Sequence, residues 1–249
     1  MLTRDELESH LAALLQVERF RDYGPNGLQV QGRAEVHRLV SGVTASLALI
    51  AAAVAERADA IVVHHGLFWR GQDGRIVGWL QQRLKLLLAH EINLFAYHLP
   101  LDAHDELGNN AQLGRRLGLQ VEARFGEQDL GVVAPAADLH SLAALRARIA
   151  QALGREPTVV EGDGRALKRI GWCTGGAQGY FEAAIAAGAD AFVTGEISEP
   201  QAHIARETGV AFLACGHHAT ERFGAAALGE HLAAQFGLAH RFIEIANPA

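Results

Sequence analysis

The stretch ADAIVVHHG at residues 58–66 decides the fold class of this chain. Its apolar residues form a short run that is typical of a buried strand, and an alanine-rich helical segment precedes it at 47–57. The run ends at His64 and His65, and Gly66 permits the backbone to turn there. Ligand sites in parallel α/β sheets lie at the carboxyl ends of the strands, so this pair stands where a site is expected. Two solvent-facing loop histidines are the alternative.

Predicted strands and helices alternate on both sides of this stretch. Short apolar strands are predicted at 38–43 and 94–97, and leucine-rich or polar helices at 77–90 and 109–117. Strands that alternate with helices predict an α/β fold with a largely parallel sheet.

A second lobe is predicted in the later part of the chain. A β-α-β-β unit is expected from residue 130 to residue 174, and Ala58-Asp59-Ala60 recurs as Ala189-Asp190-Ala191 within the same order of elements. The identity is weak and two alanine-rich units could agree by chance, but the matching order favours duplication. We therefore predict two α/β lobes of similar topology, at 1–125 and 126–249.

Composition excludes several classes of protein. The 249 residues are 49% hydrophobic and 20% charged, which is incompatible with a disordered chain. Two cysteines exclude a disulfide scaffold and a cysteine-rich zinc site. The net charge of −6 gives no support to a general nucleic-acid binder, although a local basic patch stays open. No secretory signal or membrane span is visible, so we expect a soluble protein of the reducing cytoplasm, with no membrane partner.

Histidine is the unusual residue, because six of the 13 copies fall in three short segments. The second segment, 97–104, also follows an apolar strand. It contains Asp102, whose carboxylate can bridge two cations, and His98 and His104, which could be ligands or could orient ligands. Asp102 could instead cap the helix that carries Asn109.

The third segment, 216–221, follows an apolar strand at 210–215. His217 and Glu221 are four residues apart, so a helix that begins here would place both on one face and His218 elsewhere. A histidine and a carboxylate on one face form half of a metal site. The alternative is a helix N-terminus whose dipole is complemented by the acidic residue.

Together the three segments predict a dinuclear metal centre. Three imidazoles and two carboxylates suit two divalent ions of zinc, iron, manganese, cobalt or nickel and disfavour calcium. Five protein ligands are too many for one open catalytic zinc, but they suit two ions bridged by a carboxylate and a water. Such a pair creates a metal-bound hydroxide near neutral pH. The predicted ligands are His64, His65, Asp102, His217 and Glu221.

At these residues the chain resembles the dinuclear-metal-centre family known as GTP cyclohydrolase I type 2 homologues, or NIF-three-like proteins, and in particular its compact bacterial members. The resemblance implies that the same five residues bind two metal ions, that two α/β lobes are interlinked in a NIF-three-like fold, and that the chain forms a toroidal homohexamer. The matching segments are Asn26-Gly27-Leu28-Gln29-Val30, Gly42-Val43-Thr44-Ala45-Ser46, His64-His65-Gly66, His98-Leu99-Pro100-Leu101-Asp102, Thr194-Gly195-Glu196 and Gly216-His217-His218-Ala219-Thr220-Glu221.

The resemblance suggests a metal-dependent hydrolase that opens the guanine imidazole ring of GTP and releases formate, and a dinuclear site would equally serve phosphoesters. His98 or Glu196 could shuttle protons, although an orienting role is favoured for His98. The glycine-rich loop at 175–179 could hold a phosphate, but a tight βα turn is favoured, and Arg70 could meet a phosphate or belong to a solvated face. A non-catalytic hexameric ring that acts as an adaptor or regulator, possibly in DNA repair, is the alternative function.

Overall fold

The computed structural model describes residues 2–249, which form three β-sheets and nine α-helices of a mixed α/β protein. They divide into two compact units. Unit 1 contains the chain up to Gly108 together with Gly224–Ala246, and unit 2 contains Asn109–Phe223 and Asn247–Ala249. The predicted division at 125 and 126 differs from this, because the chain returns to unit 1 near its end.

Unit 1 is built around a five-stranded sheet. Its elements are β1 Leu2–Thr3, α1 Arg4–Leu14, β2 Gly27–Val30, β3 Glu35–Val36, β4 Arg38–Thr44, α2 Leu47–Ala55, β5 Ala60–His65, α3 Gly78–Ala89, β6 Asn93–Ala96 and α4 Leu99–Ala103.

Unit 2 contains the six-stranded sheet. Its elements are α5 Asn109–Leu117, β7 Ala123–Phe125, β8 Gly131–Pro135, α6 Leu142–Leu153, β9 Thr158–Val160, β10 Arg169–Trp172, α7 Phe181–Ala186, β11 Ala191–Thr194, α8 Glu199–Thr208 and β12 Ala211–Ala214. Helix α9, His217–Phe236, begins in unit 2, and its residues from Gly224 onward belong to unit 1. The last strand, β13 Ala239–Phe242, belongs to unit 1.

The sheet of unit 1 has the strand order β13-β4-β5-β6-β2, and all its pairs are parallel except that of β2 with β6. Strand β5 is buried on both faces. Ile61 and Val63 face a core with α2 and α3, whereas Ala60 and Val62 face a core with α1. This explains why the run at 60–63 is continuously apolar rather than alternating.

The sheet of unit 2 has the order β7-β8-β10-β11-β12-β9, and only β10, β11 and β12 run parallel. A largely parallel sheet is therefore confirmed for unit 1, whereas the sheet of unit 2 is mixed. One face packs Ile170 and Trp172 against α5 and α6. The other carries a cluster of Phe181, Phe192 and Phe212 rings.

The two Ala-Asp-Ala segments perform the same structural task in the two units. The Asp59 carboxylate accepts hydrogen bonds from the His37 and Arg38 amides, both at 2.8 Å. The Asp190 carboxylate accepts from the Lys168 and Arg169 amides at 2.8 and 3.1 Å. Each carboxylate thus ties the start of one parallel strand to the next. The repeated contact supports the predicted duplication.

No helix within residues 2–249 has the length and apolar character needed to cross a lipid bilayer.

Substitution of Asp59 tests whether its hydrogen bonds to the His37 and Arg38 amides stabilise unit 1. We expect Asp59→Ala to lower the free energy of unfolding by about 2–4 kcal/mol, because two backbone amides and the Arg33 guanidinium, which donates to Asp59 at 2.9 Å, lose their acceptor. Urea denaturation provides the measurement. Asp73→Ala is the matched control, since Asp73 is an exposed carboxylate that bonds only its loop neighbour Arg75, and we expect a change within about 0.5 kcal/mol. Equal losses in the two variants would contradict the proposed role.

Candidate metal centre

Two adjacent imidazoles close the central strand of unit 1. His64 and His65 are the last residues of β5, and their ring centroids lie 4.5 Å apart. His64 is fully buried, and its Nδ1 lies 3.1 Å from the backbone oxygen of Tyr97. A carbonyl only accepts hydrogen bonds, so Nδ1 carries the proton and Nε2 carries the lone pair that can bind a metal ion.

A buried carboxylate lies beside this pair. Asp102 belongs to the short helix α4 and is 7% exposed, and its Oδ1 is 3.6 Å from His64 Nε2. This separation is longer than a hydrogen bond and suits two donors to one ion. Asp102 lies within α4, seven residues before α5 begins at Asn109. It is therefore too far away to be the N-cap of α5, which was the alternative interpretation of this residue.

His98 completes a group of three imidazoles. One ring nitrogen from each of His64, His65 and His98 lies within 4.8 Å of the others. Three histidines are a known ligand set for a catalytic zinc ion. The sequence favours an orienting role for His98. In the structure its ring also occupies a position from which it could bind a metal ion.

Asp22 orients His98, and no pattern in the sequence pointed to this residue. Its side chain is 3% exposed, and Oδ1 accepts a hydrogen bond from His98 Nδ1 at 2.7 Å. The Asn26 amide and the Leu99 backbone amide donate to Oδ2 at 2.8 and 2.9 Å. Burial raises the pKa of Asp22, but the hydrogen bonds and the charge of His98 outweigh it and lower that pKa below its usual value. The carboxylate thus fixes Nδ1 as the donor and leaves Nε2 to the imidazole group.

Unit 2 holds the second group of predicted ligands. Helix α9 begins at His217, and its Nε2 lies 3.1 Å from Glu221 Oε2, which confirms the predicted pairing on one helical face. Glu196 Oε1 lies 2.7 Å from His217 Nδ1. Glu221 is 2% exposed, so His217 stands between a buried carboxylate and a more exposed one.

These carboxylates change the protonation of His217. Burial lowers its pKa, but the hydrogen bonds and charges of Glu221 and Glu196 outweigh burial and raise the pKa to about 9. The ring therefore carries a proton at neutral pH while no cation is bound, and a metal ion would have to displace that proton.

The loop at 175–179 is shaped around Glu221. Gly175 has a φ of +71°, and a methyl group on it would overlap the Glu221 carboxylate. Its amide donates to Thr220 Oγ1 at 3.0 Å, and its carbonyl accepts from the Gly195 amide at 2.9 Å. The favoured interpretation as a tight βα turn agrees with these bonds, since the loop leads from β10 to α7.

Two other histidines of the predicted segments lie outside these groups. His104 Nδ1 accepts hydrogen bonds from the backbone amides of Glu106 and Leu107 at 3.2 and 3.1 Å, so His104 belongs to the turn after α4. Within residues 2–249, no group of three or more potential metal ligands includes His104 or His218.

Comparison with known proteins identifies relatives over almost the whole chain. Residues 2–248 match the Duf34/NIF3 (NGG1p interacting factor 3) family. Proteins called GTP cyclohydrolase 1 type 2 homolog are 52% identical in Pseudomonas aeruginosa, covering 94% of each chain, and 53% identical in Yersinia pestis, covering 98% of each.

Solved structures agree with this result. A structural-genomics protein named ybgI, described as of unknown function, is 45% identical with a TM-score of 0.95, and a protein from Thermus thermophilus is 37% identical with a TM-score of 0.89. Both comparisons cover 100% of each chain.

The pKa of His217 predicts how the metal-free protein responds to pH. A pKa raised from 6.5 to about 9 on folding adds stability that is complete below pH 6.5 and is lost as the pH rises through 9. We therefore expect the free energy of unfolding of wild type to exceed that of His217→Gln at pH 6, and the difference to shrink by pH 10. Urea denaturation after chelation measures this. His203→Gln, at an exposed position of α8, is the matched control for the loss of a histidine, and a difference between wild type and His217→Gln that does not vary with pH would contradict the assignment.

Gly175 provides a test of the Glu221 position. We expect Gly175→Ala to weaken divalent-metal binding roughly 10- to 100-fold, because the added methyl group displaces the candidate ligand carboxylate of Glu221. Competition with a chromophoric chelator measures the affinity. Gly179→Ala is the matched control in the same loop, since a methyl group there meets no atom within 4 Å. Wild-type affinity in Gly175→Ala would show that the carboxylate does not bind the ion.

Proposed function

The chain belongs to the Duf34/NIF3 family, and we propose that it is a metal-dependent hydrolase. The observation that carries the proposal is a group of three imidazoles, from the buried His64 and the half-buried His65 and His98, whose ring nitrogens lie within 4.8 Å of one another beside the carboxylate of Asp102. Neutral imidazoles and carboxylates are the ligands of catalytic zinc, iron and manganese sites.

We propose that each chain binds two divalent ions. Five ligands exceed what one open catalytic zinc takes, and the carboxylate of Asp102 is suited to bridge two cations. When bound, such a pair lowers the pKa of water and stabilises negative charge on a substrate oxygen. The proposed ligands are His64, His65, Asp102, His217 and Glu221.

The protein's own residues would position protons around the ions. In this proposal Asp22 holds the Nδ1 side of the His98 ring at 2.7 Å, and His98 has the orienting role that the sequence favours. Glu196 performs the corresponding orienting task for His217. The burial of His64, Asp102 and Glu221 excludes water and strengthens the electrostatic interactions of the charged groups.

The name of the curated relatives supports a nucleotide as the class of substrate. Proteins called GTP cyclohydrolase 1 type 2 homolog share about half of their residues with this chain. We propose hydrolytic opening of the guanine imidazole ring of GTP with release of formate as the first reaction to test, and phosphoester hydrolysis as the second. The toroidal homohexamer and the cytoplasmic location stay predictions.

Removal of the proposed bridge tests the metal assignment. We expect Asp102→Ala to lower the metal content from two ions per chain to one or none, measured by elemental analysis of the purified protein. Asp105→Ala is the matched control, because Asp105 is an exposed carboxylate three residues away, and it should retain two ions. Two ions in Asp102→Ala would remove the bridge assignment.

Activity measurements separate the two functions predicted from the sequence. Hydrolysis of GTP or a phosphodiester with added metal, lost in His65→Ala, would support the enzyme. Salt-sensitive DNA binding that survives the same substitution, with no turnover, would favour the adaptor or regulator.

A further inference from the structure

We propose that an aromatic cavity beside the three imidazoles holds the planar base of a nucleotide. The aromatic cavity belongs to unit 1 and has a volume of about 350 Å³. The inference rests on the proposed function for the position of the reacting atom, but the binding that it describes needs no turnover. The lining residues are Asp22, Tyr23, Gly24, Pro25, Phe68, Trp69 and Arg70.

The lining of the cavity is unusual in its aromatic content. Three of the seven lining residues, Tyr23, Phe68 and Trp69, carry aromatic rings, and Tyr23 is 59% exposed. The chain contains only 6% aromatic residues, so three rings around one opening are a local concentration. Faces of this kind stack on nucleobases, because every base offers a flat π surface. The volume falls in the usual range of small-molecule sites.

The walls of the cavity are fixed before any ligand binds. The Arg70 amide donates to the Tyr23 carbonyl at 2.6 Å, and its guanidinium donates to the Asp22 carbonyl at 2.7 Å. Gly24 allows these segments to approach, since a side chain there would overlap the Phe68 carbonyl oxygen. A preformed cavity avoids the entropy cost of ordering loops upon binding.

The aromatic cavity adjoins the imidazole group. The Trp69 ring centroid lies 5.1 Å from that of His98 and 6.0 Å from that of His65, and Tyr23 lies 6.1 Å from His98. A narrow crevice lined by Trp69, His64 and His98 shares four residues with the aromatic cavity. A base stacked on Trp69 therefore has one edge next to the imidazoles.

The charge at the rim favours a nucleotide over an uncharged heterocycle. Arg70 is exposed and carries a guanidinium, whose planar donors match phosphate oxygens. The nearby Asp22 carboxylate is engaged by His98, Asn26 and Leu99, so its charge is turned away from the rim. A planar base on Trp69 and a phosphate on Arg70 together define the chemistry of a nucleotide.

Binding of GMP to the chelated, metal-free full-length protein tests the proposal by isothermal titration calorimetry. We expect GMP to bind measurably tighter than ribose 5-phosphate, which lacks the base. Trp69→Leu should weaken GMP binding roughly 5- to 150-fold, the range for loss of one stacking partner, and leave ribose 5-phosphate binding unchanged. Trp69→Phe should restore most of the GMP affinity, and it also covers the case in which the leucine variant fails to fold.

Trp79→Leu is the matched control. Trp79 is an exposed tryptophan of α3 that stacks on the Arg83 guanidinium and does not line the cavity, so GMP binding should stay at the wild-type value. The proposal is overturned if GMP and ribose 5-phosphate bind alike, if neither binds, or if Trp69→Leu and Trp79→Leu have the same affinity for GMP.

The outcomes also separate this proposal from the proposed hydrolase. GMP binding that depends on Trp69, in a protein that hydrolyses no nucleotide or phosphoester with any metal, supports the base subsite and counts against the enzyme. Hydrolysis of GTP whose KM is unchanged in Trp69→Leu supports the enzyme and overturns the base subsite.

Discussion

The arrangement of the candidate metal ligands depends on buried carboxylates, whose negative charge must be compensated. Asp102 and Glu221 are nearly inaccessible to solvent, and an ionised carboxylate in such surroundings is costly unless a cation or several donors accompany it. In unit 1, the histidines that end β5 and follow β6 stand beside Asp102 and Asp22. In unit 2, His217 takes a proton between two carboxylates. A divalent ion would supply the positive charge that a protonated His217 supplies in unit 2 of the metal-free protein.

Both units contain the same strand-helix-strand arrangement, in which the residues that stabilise the fold and the candidate site residues lie at opposite ends of the strands. Asp59 and Asp190 make the same pair of backbone contacts at the start of the parallel strands. At the opposite ends, the residues that correspond to His64 and His65 are Gly195 and Glu196. One copy therefore presents two candidate ligands, whereas the other presents a close backbone approach at Gly195 and a carboxylate that lies 2.7 Å from His217. The frame tolerates this divergence because its stabilising contacts lie at the far end of the strands.

The sequence predicted those features that depend on neighbouring residues. The apolar run before His64 and the four-residue spacing of His217 and Glu221 are local patterns, and the structure confirms the buried strand and the helical face. Asp22 was missed because it is a single residue in a loop whose partner, His98, is 76 residues away. Strand β13 was missed because its exposure alternates weakly and its pairing partner β4 is distant in the sequence. For the same reason the chain's return to unit 1 was not predicted.

The return of the chain to unit 1 at Gly224–Ala246 determines when unit 1 can be completed during translation. Strand β13 pairs with β4 from Ala239↔Arg38 to Phe242↔Ser41, so one edge of the sheet of unit 1 is supplied by a segment that is synthesised after Asn109–Phe223. The segment that ends at Gly108 must wait, with one row of β4 backbone groups unpaired, while all of Asn109–Phe223 is synthesised. Folding of unit 1 in the nascent chain thus depends on β13, and truncation before β13 would leave the edge of β4 open and prone to aggregation.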